Sequence, residues 1–234
     1  MNVLAIGCHP DDIETLCAGT LARFSQLGHI VTICHVANGN MGHTQIQPDE
    51  LRQIRRKEAR SAGSLIGAEV VSCDIGDLLV DAESKEQKDK IIDVIRQAQP
   101  DLIITHSPED YMPDHVAVSR LVFAASFTAT LPHYETSQPG IAALTPIYYM
   151  DTLAGIGFQP EEYVDISETI GVKLNMLKQH ESQLKWMADH DQIDFPEFVL
   201  TCARYRGLQC GVTHAEAFRV CRVWPRVRPE RLLP

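Results

Sequence analysis

The 234-residue chain has no CxxC pair, no run of five or six consecutive Lys or Arg, and no stretch near 18 apolar residues. Each absence excludes something. The seven cysteines are odd in number and scattered at Cys8, Cys17, Cys34, Cys73, Cys202, Cys210 and Cys221. That spacing suits neither a disulfide framework nor a structural zinc knuckle, and implies reduced thiols. Cys8, beside His9, is the one thiol placed to act as a ligand. With a formal net charge of −10 and no clustered basic face, nucleic acid is a poor partner, because neutralising phosphates needs such a face. No spanning helix is expected. The opening MNVLAIGC is too short for a signal peptide and lacks a basic flank, so the protein is expected in the cytoplasm, without membrane insertion. The first turn carries neither a Gly-x-Gly-x-x-Gly nor a Walker loop, so a nucleotide fold signature is also missing.

What is present is enough apolar residue, 44%, to fill a core. In the first half, short apolar runs alternate with helical periodicity. Strands are expected at Val3–Cys8, His29–Ala37, Glu69–Cys73 and Leu102–Thr105, and helices at Glu14–Leu27, Asp49–Ile66, Ser84–Ala98 and Val116–Thr130. Strands that are apolar on both faces and separated by helices indicate a parallel sheet covered on both sides. The expected fold is α/β, a Rossmann-like, doubly wound and mostly parallel sheet, with residues 1–150 as its core and 151–234 as a small C-terminal extension. In the second half of the chain a strand is expected over Pro146–Met150, a helix capped by Ser167 and running to about Gln183, another from about Asp194 to Tyr205, a strand at Phe218–Val223, and a proline-rich tail from Trp224 to Pro234.

Two polar segments follow strands and so meet at the carboxyl edge of such a sheet, where ligands bind. One is Gly7-Cys8-His9-Pro10-Asp11-Asp12-Ile13-Glu14; the other runs from His106 through Tyr111 and Met112 to Asp114-His115. His9 and Asp12, three apart at a strand-to-helix turn, can point an imidazole and a carboxylate to one side, and His115 can add a third ligand. Two neutral imidazoles and one carboxylate on a divalent ion leave positions open for water, the pattern of a catalytic zinc site. Asp11 lies between the ligands, placed to take a proton from that water. Taken singly, a His-x-x-Asp is an ordinary turn or helix cap; the second His/Asp-rich loop at the same edge is what raises it above that.

Together, Gly-Cys-His-Pro-Asp-Asp-Ile-Glu, Ala18-Gly19-Thr20, Arg55-x-x-Glu58 and Asp114-His115 resemble the PIG-L/LmbE family, with weaker matches at His180-Glu181-Ser182-Gln183 and Glu216-Ala217-Phe218. The resemblance spans the chain. It implies a zinc-dependent de-N-acetylase acting on N-acetylglucosamine-type conjugates, with one zinc per chain on His9, Asp12 and His115 and Asp11 as general base. A homo-oligomer is also expected. The implied reaction is hydrolysis of an N-acetyl amide, releasing acetate and a free amine. Two rivals remain open: a hydrolase of a non-sugar amide or thiol conjugate, and a zinc-binding regulatory protein without catalysis.

The motive for the second rival is Met112, which stands where many family members carry an oxyanion-stabilising histidine. Loss of one such donor can cost roughly 3–4 kcal/mol. His106 is the first substitute to consider, then Tyr111 and His180, although His106 reads equally as a core histidine. Asp110 and Asp114 are placed to fix ligand imidazoles. Arg55 lies on the buried stripe of its helix with Leu51, Glu58, Ala62 and Leu65, where an unpaired charge is costly. It either anchors a substrate group, held by Glu58, or forms a structural ion pair. Asn38, at the end of the second strand, is placed to touch substrate or simply to make an Asn-Gly turn.

Overall fold

A computed structural model describes residues 1–226; the remainder of the expected tail, 227–234, lies outside the described residues. The chain runs β1 (Asn2–Gly7), α1 (Asp12–Leu16), α2 (Ala18–Gln26), β2 (Ile30–Ala37), α3 (Pro48–Ser64), β3 (Glu69–Ile75), α4 (Lys85–Ala98), β4 (Leu102–Thr105), α5 (Pro113–Thr128), β5 (Ile147–Met150), β6 (Glu162–Asp165), α6 (Ile170–Leu177), α7 (Glu181–His190), α8 (Phe195–Cys210) and β7 (Ala215–Val220). Among the described residues no helix is long and apolar enough to cross a membrane.

One sheet of order β3-β2-β1-β4-β5-β7-β6 organises the molecule. The strands from β3 through β5 pair in parallel, and β7 pairs antiparallel with both β5 and β6. Successive residues of β1 feed opposite cores: Val3 and Ala5 pack with Leu21 and Phe24, while Leu4 and Ile6 pack with Ile92 and Leu121. Both faces are covered, which is why the strands read as unbroken apolar runs. The strand order reverses between β1 and β4, so the crevice of the doubly wound fold opens where those two strands end.

The C-terminal segment is integral to this sheet. It contributes β6 and β7, and β6 was not expected from its four residues, Glu-Tyr-Val-Asp. The last strand runs Ala215–Val220, not Phe218–Val223.

Two helices expected to be continuous are broken, each by a tertiary contact. The first divides at Cys17, where the Glu216 carboxylate accepts the Gly19 and Thr20 amides at 2.9 and 2.7 Å. Those bonds satisfy the opening donors of α2 and start a fresh helix. Gly19 sits so close to Ile166 that a Cβ there would meet its side chain at 2.8 Å. The second divides at His180, a fully buried residue between α6 and α7. Thr169, not Ser167, precedes α6, and the Ser167 hydroxyl donates instead to Asp165.

Candidate metal centre and the cavity above it

β1 and β4 are tied together at their ends, where the Cys8 amide donates to His106 Nε2 at 2.8 Å. The chain then turns sharply. Asp11 adopts φ 118°, a left-handed conformation costly for a side chain with a Cβ, and the His9 amide donates to the Asp12 carboxylate at 2.6 Å. The turn therefore holds His9, Asp11 and Asp12 together in the crevice between β1 and β4.

Asp12 is the hub. Its Oδ2 lies 3.4 Å from His9 Nδ1, 3.3 Å from His115 Nε2 and 3.4 Å from His106 Nε2. Two overlapping sets, Cys8-His9-Asp12 and Asp12-His106-His115, have donor atoms within 4.8 Å of one another. Chemistry sorts them. Burial pushes the Cys8 thiol up to about 12, which keeps it protonated, although His9 pulls the other way. Burial and neighbouring His115 push His106 down to about 4. Neutral His106 already spends its Nε2 lone pair on the Cys8 amide and stacks against the His115 ring at 3.9 Å.

His115 is different. Its Nδ1 faces Asp110 Oδ2 at 3.0 Å, which places the proton on that nitrogen and turns the other lone pair toward Asp12. His115 Nε2 is fully buried with no hydrogen-bond partner. A bare lone pair 3.3 Å from a carboxylate oxygen is repulsive unless a cation lies between them. With a proton as that cation, the Asp12 and Asp110 carboxylates overcome burial and raise His115 to about 9. His9 Nε2 likewise meets Asp114 Oδ2 at 3.4 Å, and Asp114 is fixed in turn by the Leu78 amide at 3.0 Å. The donor set of two supported imidazoles around one carboxylate thus fits a divalent ion.

Above this cluster opens a cavity of about 400 Å³. His9, Asp11 and Asp12 line it, with Arg55, Asp77, Tyr111, Met112 and Gln183 around them. Burial, then the Asp12 charge, pushes the Asp11 carboxyl up to about 7. Arg55 is bonded to the Gly42 carbonyl at 3.3 Å and to the Gln183 side chain. Gly39 and Gly42 make room for it, since a Cβ on Gly39 would lie 2.3 Å from Arg55 Cδ.

Four expectations change here. Glu58 does not hold Arg55; its carboxylate accepts the Ser182 amide and hydroxyl at 2.8 and 2.6 Å, docking α7 onto α3. Asn38 lies outside the cavity, donating to Asp74 at 3.1 Å and accepting from the Asn40 amide. His106 is fully buried and does not line the cavity, and its Nε2 accepts the Cys8 amide. His180 is buried too, its Nε2 3.3 Å from Glu14. Tyr111 is the remaining expected donor that reaches the cavity. Sequence reasoning gave no role to Asp77, whose carboxylate orders the Gly39 and Met41 amides, nor to Gln183. Only the family-like His180–Gln183 string pointed near the latter.

The fold and this centre define the class, and sequence comparison gives the family. The pattern of the family described as PIG-L, GlcNAc-PI de-N-acetylase, matches residues 4–126, and the chain belongs to that family. It is 29% identical over 236 residues to the diacetylchitobiose deacetylase of Thermococcus kodakarensis, covering 93% of this chain and 82% of that protein. The solved N,N'-diacetylchitobiose deacetylase of Pyrococcus horikoshii superposes with TM-score 0.80 at 26% identity, over 93% of this chain and 82% of the other. A 4-oxalmesaconate hydratase of Pseudomonas putida is 24% identical, over 97% of this chain and 90% of its own length.

Proposed function

We propose that the protein is a zinc-dependent de-N-acetylase of an amino-sugar conjugate, with the ion held by His9, Asp12 and His115. The observation that carries this reading is the orphaned His115 Nε2 facing Asp12, beside an ionisable Asp11 at the base of a cavity. A divalent ion held there supplies Lewis-acid polarisation of the amide carbonyl and acidifies water.

The chain's own groups do the rest. Asp110 and Asp114 hold the two imidazoles in the orientation that presents a lone pair to the centre. Asp11 accepts the proton of the attacking water and passes it to the departing amine nitrogen. Its carboxyl is buried beside Asp12 on the cavity's polar side, where a positioned carboxylate serves first as base and then as acid. Arg55, held by Gly42 and Gln183, offers the cavity a guanidinium and orients the substrate. Tyr111, a neutral donor, lines the cavity beside Met112, which stands where many family members carry a histidine.

The hydratase relative favours a second reading, addition of water to an unsaturated, multiply carboxylated acid. An ion on His9, Asp12 and His115 together with Arg55 would suit a carboxylated acid as well as an amide, so the choice between the two readings falls to experiment. A purely metal-binding role leaves Asp11 without a use. The test is acetate release from N-acetylglucosamine glycosides by metal-loaded protein, with hydration of an enol acid measured alongside. Hydration without acetate release would overturn the de-N-acetylase reading.

A further inference from the structure

The polar floor accounts for only part of the cavity. Its other wall comes from α7, α8 and the turn between them: Met187, Ile193, Phe195 and Phe198, with Leu153 opposite. None of these side chains offers a strong hydrogen bond. Met187, Phe195 and Phe198 also belong to a small apolar cluster with Leu177 and Val199, separate from the two cores on the sheet faces. The wall is therefore backed by its own packing. It is continuous with the catalytic floor, because His9 and Phe198 line the same space. A hydroxyl-rich second sugar or polyol would leave its polar groups unpaired against such a wall, whereas an alkyl or aryl group would bury apolar area there.

We infer that the Met187–Phe198 wall is an aglycone subsite selecting amino sugars that carry an apolar substituent. The inference rests on the amino-sugar reading for the identity of the group on the floor, while the wall's preference can be measured without turnover.

The experiment is calorimetric binding of three probes to full-length, zinc-loaded protein: the methyl and n-hexyl β-glycosides of N-acetylglucosamine, and N,N'-diacetylchitobiose. Acetate release is followed on the same probes. The hexyl glycoside is expected to bind about tenfold more tightly than the methyl glycoside, or about 1.4 kcal/mol, and more tightly than the disaccharide. Phe198→Ala should bring the hexyl-to-methyl ratio below about threefold, and Phe198→Leu should keep most of it. The leucine variant guards against a folding defect. Equal binding of hexyl and methyl glycosides, or tightest binding of the disaccharide, would overturn the inference. So would failure of all three to bind. Retained hexyl preference without acetate release would instead sink the de-N-acetylase reading and leave the subsite standing.

Discussion

Two of the buried charged clusters among the described residues, one around Glu216 and one around Asp12, are built on opposite principles. Around Glu216, both charges are answered. One carboxylate oxygen accepts the Gly19 amide and Lys173 Nζ at 2.9 and 2.5 Å, the other accepts the Thr20 amide, and Lys173 donates further to the Thr15 carbonyl. Around Asp12, one carboxylate faces three imidazoles, and His115 Nε2 is left without a partner. Burial alone does not separate the two, since the side chains of Lys173 and Glu216 are 2% and 3% exposed and that of His115 is 0%. What separates them is the unanswered lone pair beside a cavity. A satisfied buried network holds a fold together; an unsatisfied one waits for a ligand.

The sharpest way to break this comparison is at the satisfied cluster. Lys173→Met should strand the Glu216 charge and lower stability by about 3–5 kcal/mol, read by urea unfolding of the metal-free protein. A loss below about 1 kcal/mol would show that the cluster is not the brace described here.

At the other cluster the expected cost falls on rate. Asp11→Asn should retain bound metal and lower kcat by about 10²-fold, or about 2.7 kcal/mol of barrier. Stability should move the other way with pH. Asp11 is raised from 3.8 to about 7, so the folded metal-free state holds that proton more tightly than the unfolded chain. Its contribution therefore weakens the fold as pH rises from about 4 to about 7. The asparagine variant should lose that part of the decline, and an unchanged pH profile of unfolding would remove Asp11 from the account.

A smaller effect is expected one layer out. Asp110→Asn should weaken zinc affinity about 10–100-fold, measured by chelator competition, while turnover per bound metal changes little. If affinity holds and turnover collapses, Asp110 acts on substrate and not on His115. The smallest effect belongs to Met112→His, which adds a donor at the cavity. It should change kcat by less than about threefold if Tyr111 and the metal centre already stabilise the oxyanion. A rise above tenfold, a full 1.4 kcal/mol, would show a missing donor.

The unequal legibility of the two clusters has the same origin. The doubly wound order was readable because β1, β2 and β4 are apolar on both faces, and the two polar strings that meet at Asp12 were readable because each ends a strand. Lys173 and Glu216 are single charges 43 residues apart in an ordinary helix and strand, and nothing local marks their pairing. The breaks at Cys17 and His180 were hidden for that reason: periodicity continues through both, and only distant partners stop it. His106 could not be assigned without coordinates either. Its strand-end position suits a catalytic group, but the Cys8 amide claims its lone pair. The apolar wall was invisible because Met187, Ile193, Phe195 and Phe198 look like core residues in any sequence.

The bond from Glu216 back to Gly19 and Thr20 has a temporal consequence. The turn bearing His9 and Asp12 leads into α1 and α2, yet the amides opening α2 are satisfied by a side chain about 197 positions later. During synthesis from the N-terminus, residues 4–126 emerge carrying His9, Asp12 and His115 but without the acceptor that seats the helix behind the turn. Long-range closure of this kind is slow, since the intervening loop must lose its freedom first. The turn bearing His9 and Asp12 gains this seat only once β7 has been made and slotted between β5 and β6, and a chain released before Glu216 lacks the acceptor.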